Sequence, residues 1–260
     1  MGKNIEQPPR EAILGCRISV TPSYEAVYDA LRAYLANGGG PGYITVNNVH
    51  TVVEGARRDS YRAIINRAVM AFPDGRPLSL VMEWRGIKDV ERIFGPSFFE
   101  KALTWSEGSG LKHFLFGSSP ETLARLQAVC RERFPQSEVV GAISPPFRPL
   151  SAEENREYLA QINASGADIV WVGLGAPRQE EWMAANYRQL NRGLMIGIGA
   201  GFDYLAGNTR HAPAWMKKYA LEWLYRLIQE PRRLWKRYLV TNSLFVIFLA
   251  LEWMGVKRFD

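Results

Sequence analysis

Short apolar runs alternate with amphipathic stretches from residue 12 to residue 198. Residues 12–20, 43–46, 68–72, 112–116, 138–142, 168–172 and 194–198 have the apolar, often β-branched or aromatic character of strands. Between them, residues 23–36, 49–66, 120–134, 151–165 and 178–190 repeat apolar positions at helical spacing. Ser151, with Glu154 three residues on, predicts a capping box at the start of one helix. Gly38-Gly39-Gly40-Pro41-Gly42 predicts a turn. Strands alternating with helices of this length predict an α/β fold: a Rossmann-like, mostly parallel sheet with helices on both faces. The alternation stops near residues 207–213, which predicts a core of residues 1–207 and a helical C-terminal appendage of residues 208–260. No repeat or low-complexity tract interrupts the pattern.

Charge changes the picture of the appendage. The window 210–237 holds eight Lys/Arg and two acids, which accounts for the whole net charge of +6 and leaves the remainder neutral. A local basic block is a footprint for phosphate, nucleic acid or anionic lipid. It leads into Leu-Phe-Val-Ile-Phe-Leu-Ala-Leu at 244–251, with Trp253, Met254 and Val256 beyond. The apolar stretch 239–256 is broken by Thr241, Asn242, Ser243 and Glu252, so it is too short and polar to span a bilayer comfortably. A basic stretch joined to a short aromatic-rich helix predicts a segment lying in an anionic membrane interface; a helix docked on the core is the other reading. No nucleic-acid-binding motif accompanies the basic block.

Cys16 and Cys130 imply no disulfide framework and fit a reducing compartment. Cys130 falls on a helical pattern as a packed apolar residue. The first twelve residues are polar, include Pro8 and Pro9, and lack the apolar run of a signal peptide; Glu6 argues against myristoylation of Gly2. The expected location is therefore peripheral, on the cytoplasmic face of the plasma membrane.

Ligands of open α/β sheets bind beyond the carboxyl ends of the strands. Thr45, Asn47 and Asn48 stand at one such end, and Asp74, between Pro73 and Gly75, at the next. Gly173-Leu174-Gly175-Ala176-Pro177-Arg178-Gln179-Glu180 follows a third, and Gly199-Ala200-Gly201-Phe202-Asp203 a fourth. Glycines there let backbone N–H groups approach an anion. These loops match neither the dinucleotide fingerprint nor a P-loop, and no Gly-x-Ser-x-Gly occurs. His50, His113 and His211 lack metal-ligand spacing, and no Asp-x-Asp is present. No metal site and no cofactor are expected, so arginines and backbone amides would neutralise a bound diphosphate. Asp74 in Pro-Asp-Gly reads as a turn former or, from its place at a strand end, as a general base.

Taken in order, several segments resemble the WecG/TagA/CpsF family of bacterial glycosyltransferases. They include Ile13-Leu14-Gly15, Thr45-Val46-Asn47, Pro73-Asp74-Gly75, Arg92-Ile93-Phe94-Gly95-Pro96 and Phe114-Leu115-Phe116-Gly117. They continue with Val172 to Glu180, Gly199 to Gly207, Ala212-Pro213-Ala214-Trp215, Leu221 to Leu227 and Glu230-Pro231-Arg232-Arg233. The resemblance implies a metal-independent, inverting transfer of a hexose from a UDP-sugar to an undecaprenyl-diphosphate-linked saccharide in cell-surface polysaccharide synthesis. It implies Asp74 as base, with Thr45 and Asn47 near the sugar and acceptor. It implies Arg92, Gly173, Gly175, Gln179, Glu180 and Asp203 about the donor. Arg226, Arg233 and Lys236 would close over the diphosphate. His211, Asn48 and Pro77-Leu78 depart from the family's usual residues. Glucose is the expected sugar, with N-acetylmannosamine or its uronic acid as the alternatives. A non-enzymatic module binding anions and membrane surfaces is the competing reading, and a homo-oligomer is left open.

Overall fold

The computed structural model describes residues 8–259, apart from the side chains of Lys217 and Lys218. The expectations drawn from residues 1–7 lie outside the described residues. The chain begins with the antiparallel pair β1 (Arg10–Ile13) and β2 (Cys16–Ser19). Next come α1 (Tyr24–Ala36), β3 (Gly42–Asn47), α2 (Val49–Arg57), α3 (Asp59–Arg67) and β4 (Met70–Pro73). Then follow α4 (Arg76–Trp84), α5 (Gly95–Ser106), β5 (Lys112–Gly117), α6 (Pro120–Arg133), β6 (Glu138–Ile143) and α7 (Ala152–Ser165). β7 (Ile169–Gly173), α8 (Arg178–Asn186), β8 (Leu194–Gly197) and α9 (Gly201–Leu205) lead to the tail helices. These are α10 (Ala214–Lys218), α11 (Glu222–Gln229) and α12 (Pro231–Trp253).

β3 to β8 form one six-stranded sheet in the order β4-β3-β8-β7-β5-β6, with every pair parallel. This is the expected α/β architecture. Ile44, Phe72, Leu115, Trp171 and Ile196 point to one face, where α1, α5, α6 and α9 cover them. Tyr43, Phe116, Val170 and Met195 point to the other, under α7 and α8. A sheet buried on both faces explains why its strands are continuous apolar runs rather than alternating ones. The helices after β3 and β8 leave toward opposite faces, so the carboxyl ends of these two neighbours border a crevice.

Three predicted elements differ from the observed ones. The single strand over 12–20 is a hairpin, because Leu14 and Gly15 both take positive φ (49° and 78°) and reverse the chain in a two-residue turn. Its inner side packs with α2 to α4 and α12. Asn66 ties it to α3, donating to the Gly15 carbonyl at 3.0 Å and accepting from the Arg17 N–H at 2.7 Å. The single helix over 49–66 breaks at Arg58, whose backbone is extended. After Val52, Val53 and Ala56 the buried positions resume only at Tyr61 and Ile65, a shift in phase that the turn absorbs. Third, α12 is one continuous helix of 23 residues that joins the basic stretch to the apolar run. By length and composition alone it could cross a membrane. One side, however, docks on the hairpin cluster through Leu244, Phe245, Phe248 and Leu249, and Arg85 pins its end through Glu252 at 2.6 Å. The helix over 178–190 closes at Asn186 with a short 3-10 turn after it. The capping box at Ser151 and Glu154 is present.

His113, one of the three histidines, is a structural core residue. Its Nδ1 accepts from the Trp171 indole at 3.1 Å and its Nε2 lies 2.7 Å from the Ser106 hydroxyl. Burial lowers its pKa to about 4, which keeps the ring neutral. Cys130 is buried and burial raises its thiol pKa, as expected of a packed residue.

The carboxyl ends of β5 and β7 approach so closely that only glycine fits at position 117. Its φ is 134°, and a Cβ there would lie 2.5 Å from the Gly173 carbonyl oxygen. Gly117→Ala is expected to cost about 2–3 kcal/mol, read as a lower urea midpoint at unchanged slope.

Candidate active site

Asp74 follows β4 and lines a cavity of about 550 Å³ walled by α2, α4, α11 and α12. Its backbone N–H donates to the Asn47 carbonyl at 2.7 Å, which registers it against the end of β3. Its carboxylate accepts from the Gly95 N–H at 2.8 Å, the first residue of α5. A Cβ on Gly95 would stand 3.7 Å from the Ile198 carbonyl and 3.9 Å from the Asp74 carboxylate, so Gly95 sits close to both Asp74 and the loop that follows β8. Desolvation raises the Asp74 pKa above the ordinary aspartate value, Arg92, the Gly95 N–H and Arg226 pull it down, and Glu222 adds to the rise.

Arg92 spans the site. Its Nε donates to the Asp74 carbonyl, and its terminal nitrogen pairs with the Glu222 carboxylate on α11. Its guanidinium also lies 4.7 Å from the Phe94 ring centroid. Phe94 packs edge-on against Tyr204, Tyr204 lies 4.7 Å from the His211 ring, and Arg226 stands 5.7 Å over Tyr204. The tail is thus folded against the strand ends by one aromatic and ionic cluster.

Thr45 and Asn47 are fully buried at the end of β3, where the Asn47 amide donates to the Thr45 hydroxyl at 2.9 Å. The Asn47 amide oxygen is buried with no hydrogen-bond partner. Gly173 ends β7 and Gly175 follows in the loop; Gly173 must lack a side chain, since a Cβ there would meet the Phe202 ring at 2.7 Å. The Gln179 amide oxygen accepts from the Gly199 N–H at 3.0 Å, and its amide nitrogen donates to Glu180 at 2.6 Å. Glu180 is buried against Tyr61 and Gln179, and burial raises its pKa to about 7. Its carboxylate braces Gln179, and through it the β8 loop. Asp203 on α9 accepts from the Asn208 amide at 3.2 Å, which also donates to Thr122 on α6.

The structure therefore brings Asp74, Arg92 and Arg226 to one cavity, with Asn47 behind them. Gly173, Gly175 and Gln179 stand at the neighbouring strand ends. Arg233 and Lys236 lie on the exposed side of α12, Arg233 paired with Glu230 at 2.6 Å. Among the lining residues that the sequence reading did not single out for the site are Glu222, Arg237, His50 and Trp84. Glu222 stood in a segment that carried the family resemblance, and its acidity within a basic window was the available signal. His50 was judged only by metal-ligand spacing. Asn48, which departs from the family pattern, caps α2 by accepting from the His50 and Thr51 N–H groups. Among the described residues no group of His, Cys, Asp and Glu gathers as a metal site.

A doubly covered parallel sheet, with glycine-rich strand ends beside a carboxylate set among arginines, has the form of a ligand-binding sheet edge. Residues 11–258 match the model of the glycosyl transferase WecG/TagA/CpsF family. The chain belongs to this family and is a glycosyltransferase. It is 30% identical, over 225 residues, to an N-acetylglucosaminyldiphosphoundecaprenol N-acetyl-beta-D-mannosaminyltransferase of Bacillus spizizenii (strain ATCC 23059 / NRRL B-14472 / W23). That alignment covers 86% of this chain and 84% of the relative.

The partly buried Arg92–Glu222 pair is what fixes α11 over Asp74. Glu222→Ala strands the Arg92 guanidinium and is expected to cost about 3 kcal/mol in urea unfolding. It should also open the 207–221 segment to limited proteolysis, whereas Glu222→Gln, which keeps a hydrogen-bond acceptor, should lose less. Equal stability of all three proteins would show that the pair holds nothing.

Proposed function

We infer that the protein transfers a hexose from a UDP-sugar to a saccharide carried on undecaprenyl diphosphate, at the membrane surface. The observation that carries this reading is the Asp74 carboxylate, desolvated in a cavity it shares with Arg92 and Arg226, in a chain of this glycosyltransferase family. The relative's activity supports a diphosphoundecaprenol-linked acceptor. Within that reading the acceptor hydroxyl gives its proton to Asp74 as its oxygen bonds to the anomeric carbon. The bond from that carbon to the diphosphate oxygen breaks, and the electron pair leaves with UDP. Attack opposite the leaving group inverts the centre. Thr45 and Asn47 order the β3 end behind the sugar, the Asn47 amide held on the Thr45 hydroxyl. Gly173, Gly175 and the Gly199 loop held by Gln179 give the donor diphosphate a close backbone approach, with Asp203 beyond it on α9. Arg226 supplies positive charge as the leaving group becomes more anionic. No divalent metal is part of this reading; arginines and amides carry the charge.

Membrane attachment is supported by the exposed apolar side chains of α12 and its surroundings. Trp253 is 90% exposed and Trp84 79%, beside exposed Trp235, Leu239 and Ile247. The exposed Arg232, Arg233 and Lys236 lie on the same helix and would add about 1 kcal/mol each at an anionic surface. The cytoplasmic face, where sugar nucleotides are made, is the side proposed.

Incubation with labelled UDP-glucose, UDP-N-acetylmannosamine and its uronic acid, together with a prenyl-diphosphate-linked sugar, is expected to give transfer from one donor. Glucose is the sugar we favour. Donor turnover with none of them would leave a binding module instead. Asp74→Asn is expected to lower turnover about 10²–10⁴-fold while UDP binding persists. The base acts ionised and its pKa is raised, so wild-type kcat/KM should fall on the acid side at a pH above the usual aspartate range. Near-normal turnover of Asp74→Asn would remove it from this role. EDTA should leave the rate nearly unchanged; abolition by EDTA and rescue by Mg²⁺ would reveal a carboxylate-held metal.

A further inference from the structure

Glu180 is fully buried beneath the strand ends, where a carboxylate is costly unless its charge is answered. Neutral donors answer it. The Tyr61 hydroxyl of α3 donates to Oε2 at 3.0 Å, and the Gln179 amide nitrogen donates to Oε1 at 2.6 Å. The Gln179 amide oxygen in turn accepts from the Gly199 N–H at 3.0 Å. A hydrogen-bonded line thus runs from α3 through α8 to the loop after β8. Gln179 is packed against the end of β8, since a Cβ on Gly197 would stand 3.1 Å from its amide nitrogen. The motion left to it is a half-turn of the terminal amide, whose oxygen and nitrogen ends are nearly the same size.

The ionised carboxylate forbids that half-turn. It can only accept, as can the amide oxygen, while the Gly199 N–H can only donate, as can the amide nitrogen. A turned amide would set acceptor against acceptor at Glu180 and donor against donor at Gly199. A neutral Glu180 has a proton to place. Given to the Gln179 oxygen, it favours the turned amide, and the Gly199 N–H loses its acceptor. Tyr61 could take the proton only by turning its own O–H into the apolar cluster of the hairpin. The other titratable groups around Glu180 are Glu181 of its own helix, paired with Arg58 of the α2–α3 turn at 2.7 Å, and Cys16 of β2 beyond Tyr61, on which Arg62 acts. Burial raises the pKa of Tyr61, and raises that of Cys16 to about 12, so both stay protonated near neutrality. Burial likewise raises Glu180 to about 7, against the pull of the bonds from Gln179 and Tyr61.

We propose that Glu180 is a positioning residue: ionised, it fixes the Gln179 amide and so holds the Gly199 loop ready for the donor diphosphate, and protonated, it releases that loop and weakens donor binding. The inference rests on the glycosyltransfer reading for placing a diphosphate at this loop. It adds a proton-controlled grip on the donor, distinct from the proton that Asp74 takes from the acceptor. Loss of the Asp74 charge slows transfer, whereas loss of the Glu180 charge loosens the nucleotide.

The test uses the full-length protein with UDP as the probe. Glu180→Gln cannot ionise. Its dissociation constant for UDP should exceed the wild-type value about tenfold at about pH 8, and only about twofold at about pH 6, where the wild-type carboxyl is itself protonated. Taking the ratio of the two constants cancels the titration of UDP itself. In Tyr61→Phe the carboxylate loses a donor, so the wild-type fall in affinity should move to higher pH. A role in packing alone would weaken UDP equally at every pH and leave the inflection where it was. The side-chain amide resonance of Gln179 should shift through neutral pH in the wild type, which decides the matter if Glu180→Gln folds poorly. A pH-independent ratio, or a Gln179 resonance that does not titrate in the wild type, overturns the proposal. Sugar transfer assayed in parallel separates the two readings. Transfer with a pH-independent ratio removes the role of Glu180 alone. A pH-dependent ratio in a protein that transfers no sugar sustains that role and removes the glycosyltransfer reading. A wild type that binds no UDP at either pH overturns both.

Discussion

The guanidinium of Arg92 joins two parts of the chain that are 130 residues apart. One side holds the Asp74 carbonyl at the end of β4, and the other holds Glu222 at the start of α11. That tie closes the cavity on the side of α11. It seats α11, which brings Arg226 over Tyr204, and α11 delivers the chain at Pro231 into α12. Without it Asp74 would be a solvated turn aspartate. With it, the carboxylate is stripped of water yet remains next to the charges that keep it ionisable. A pair of this kind contributes little net stability, because desolvation offsets the attraction; its value is in fixing where the tail lies.

The sheet supplies the other constraint. Parallel strands with helices on both faces leave their carboxyl ends as the one edge where backbone N–H groups and short polar side chains gather. Glycines at 117 and 173 let two of these ends approach to van der Waals contact, and Glu180 holds Gln179 against the Gly199 loop from beneath. The rigid side of the site is therefore built from strands, and the covering side from helices that belong to the tail. This division would suit the proposed transfer from a soluble donor to a lipid-carried acceptor.

Much of this was legible in the chain. The seven apolar runs marked the six sheet strands and the region of the hairpin, because a strand buried on both faces cannot disguise its composition. Asp74 and the glycine turns were legible because strand ends are where such sheets place ligands. Other features were not. α4 and α5 were not assigned: both carry Pro in their first turn, beside the glycines Gly75 and Gly95, which masks a helical start. Leu14 at positive φ hid the hairpin, since nothing about leucine announces a turn. Arg237 rather than Arg233 faces the cavity because the phase of α12 is set by where Phe245 docks, a tertiary contact that a list of basic residues does not contain.

The last contact in the chain bears on its first. A Cβ on Gly15 would lie 2.3 Å from the Phe259 carbonyl, and Phe245 and Phe259 share one apolar cluster with Ile13, Cys16 and Ile18. The hairpin that begins the described chain is thus covered by the segment that ends it. During synthesis from the ribosome, α2 to α4 can cover part of the hairpin's inner side early, but the part that Phe245 and Phe259 close stays open until residues 245–259 have emerged and docked. Closing so long a loop is slow compared with local helix formation. In the interval the same apolar surface is available to chaperones, to other nascent chains or to a bilayer. The order of events in the cell, and not only the final packing, therefore decides what this surface meets while the tail is still finding its seat.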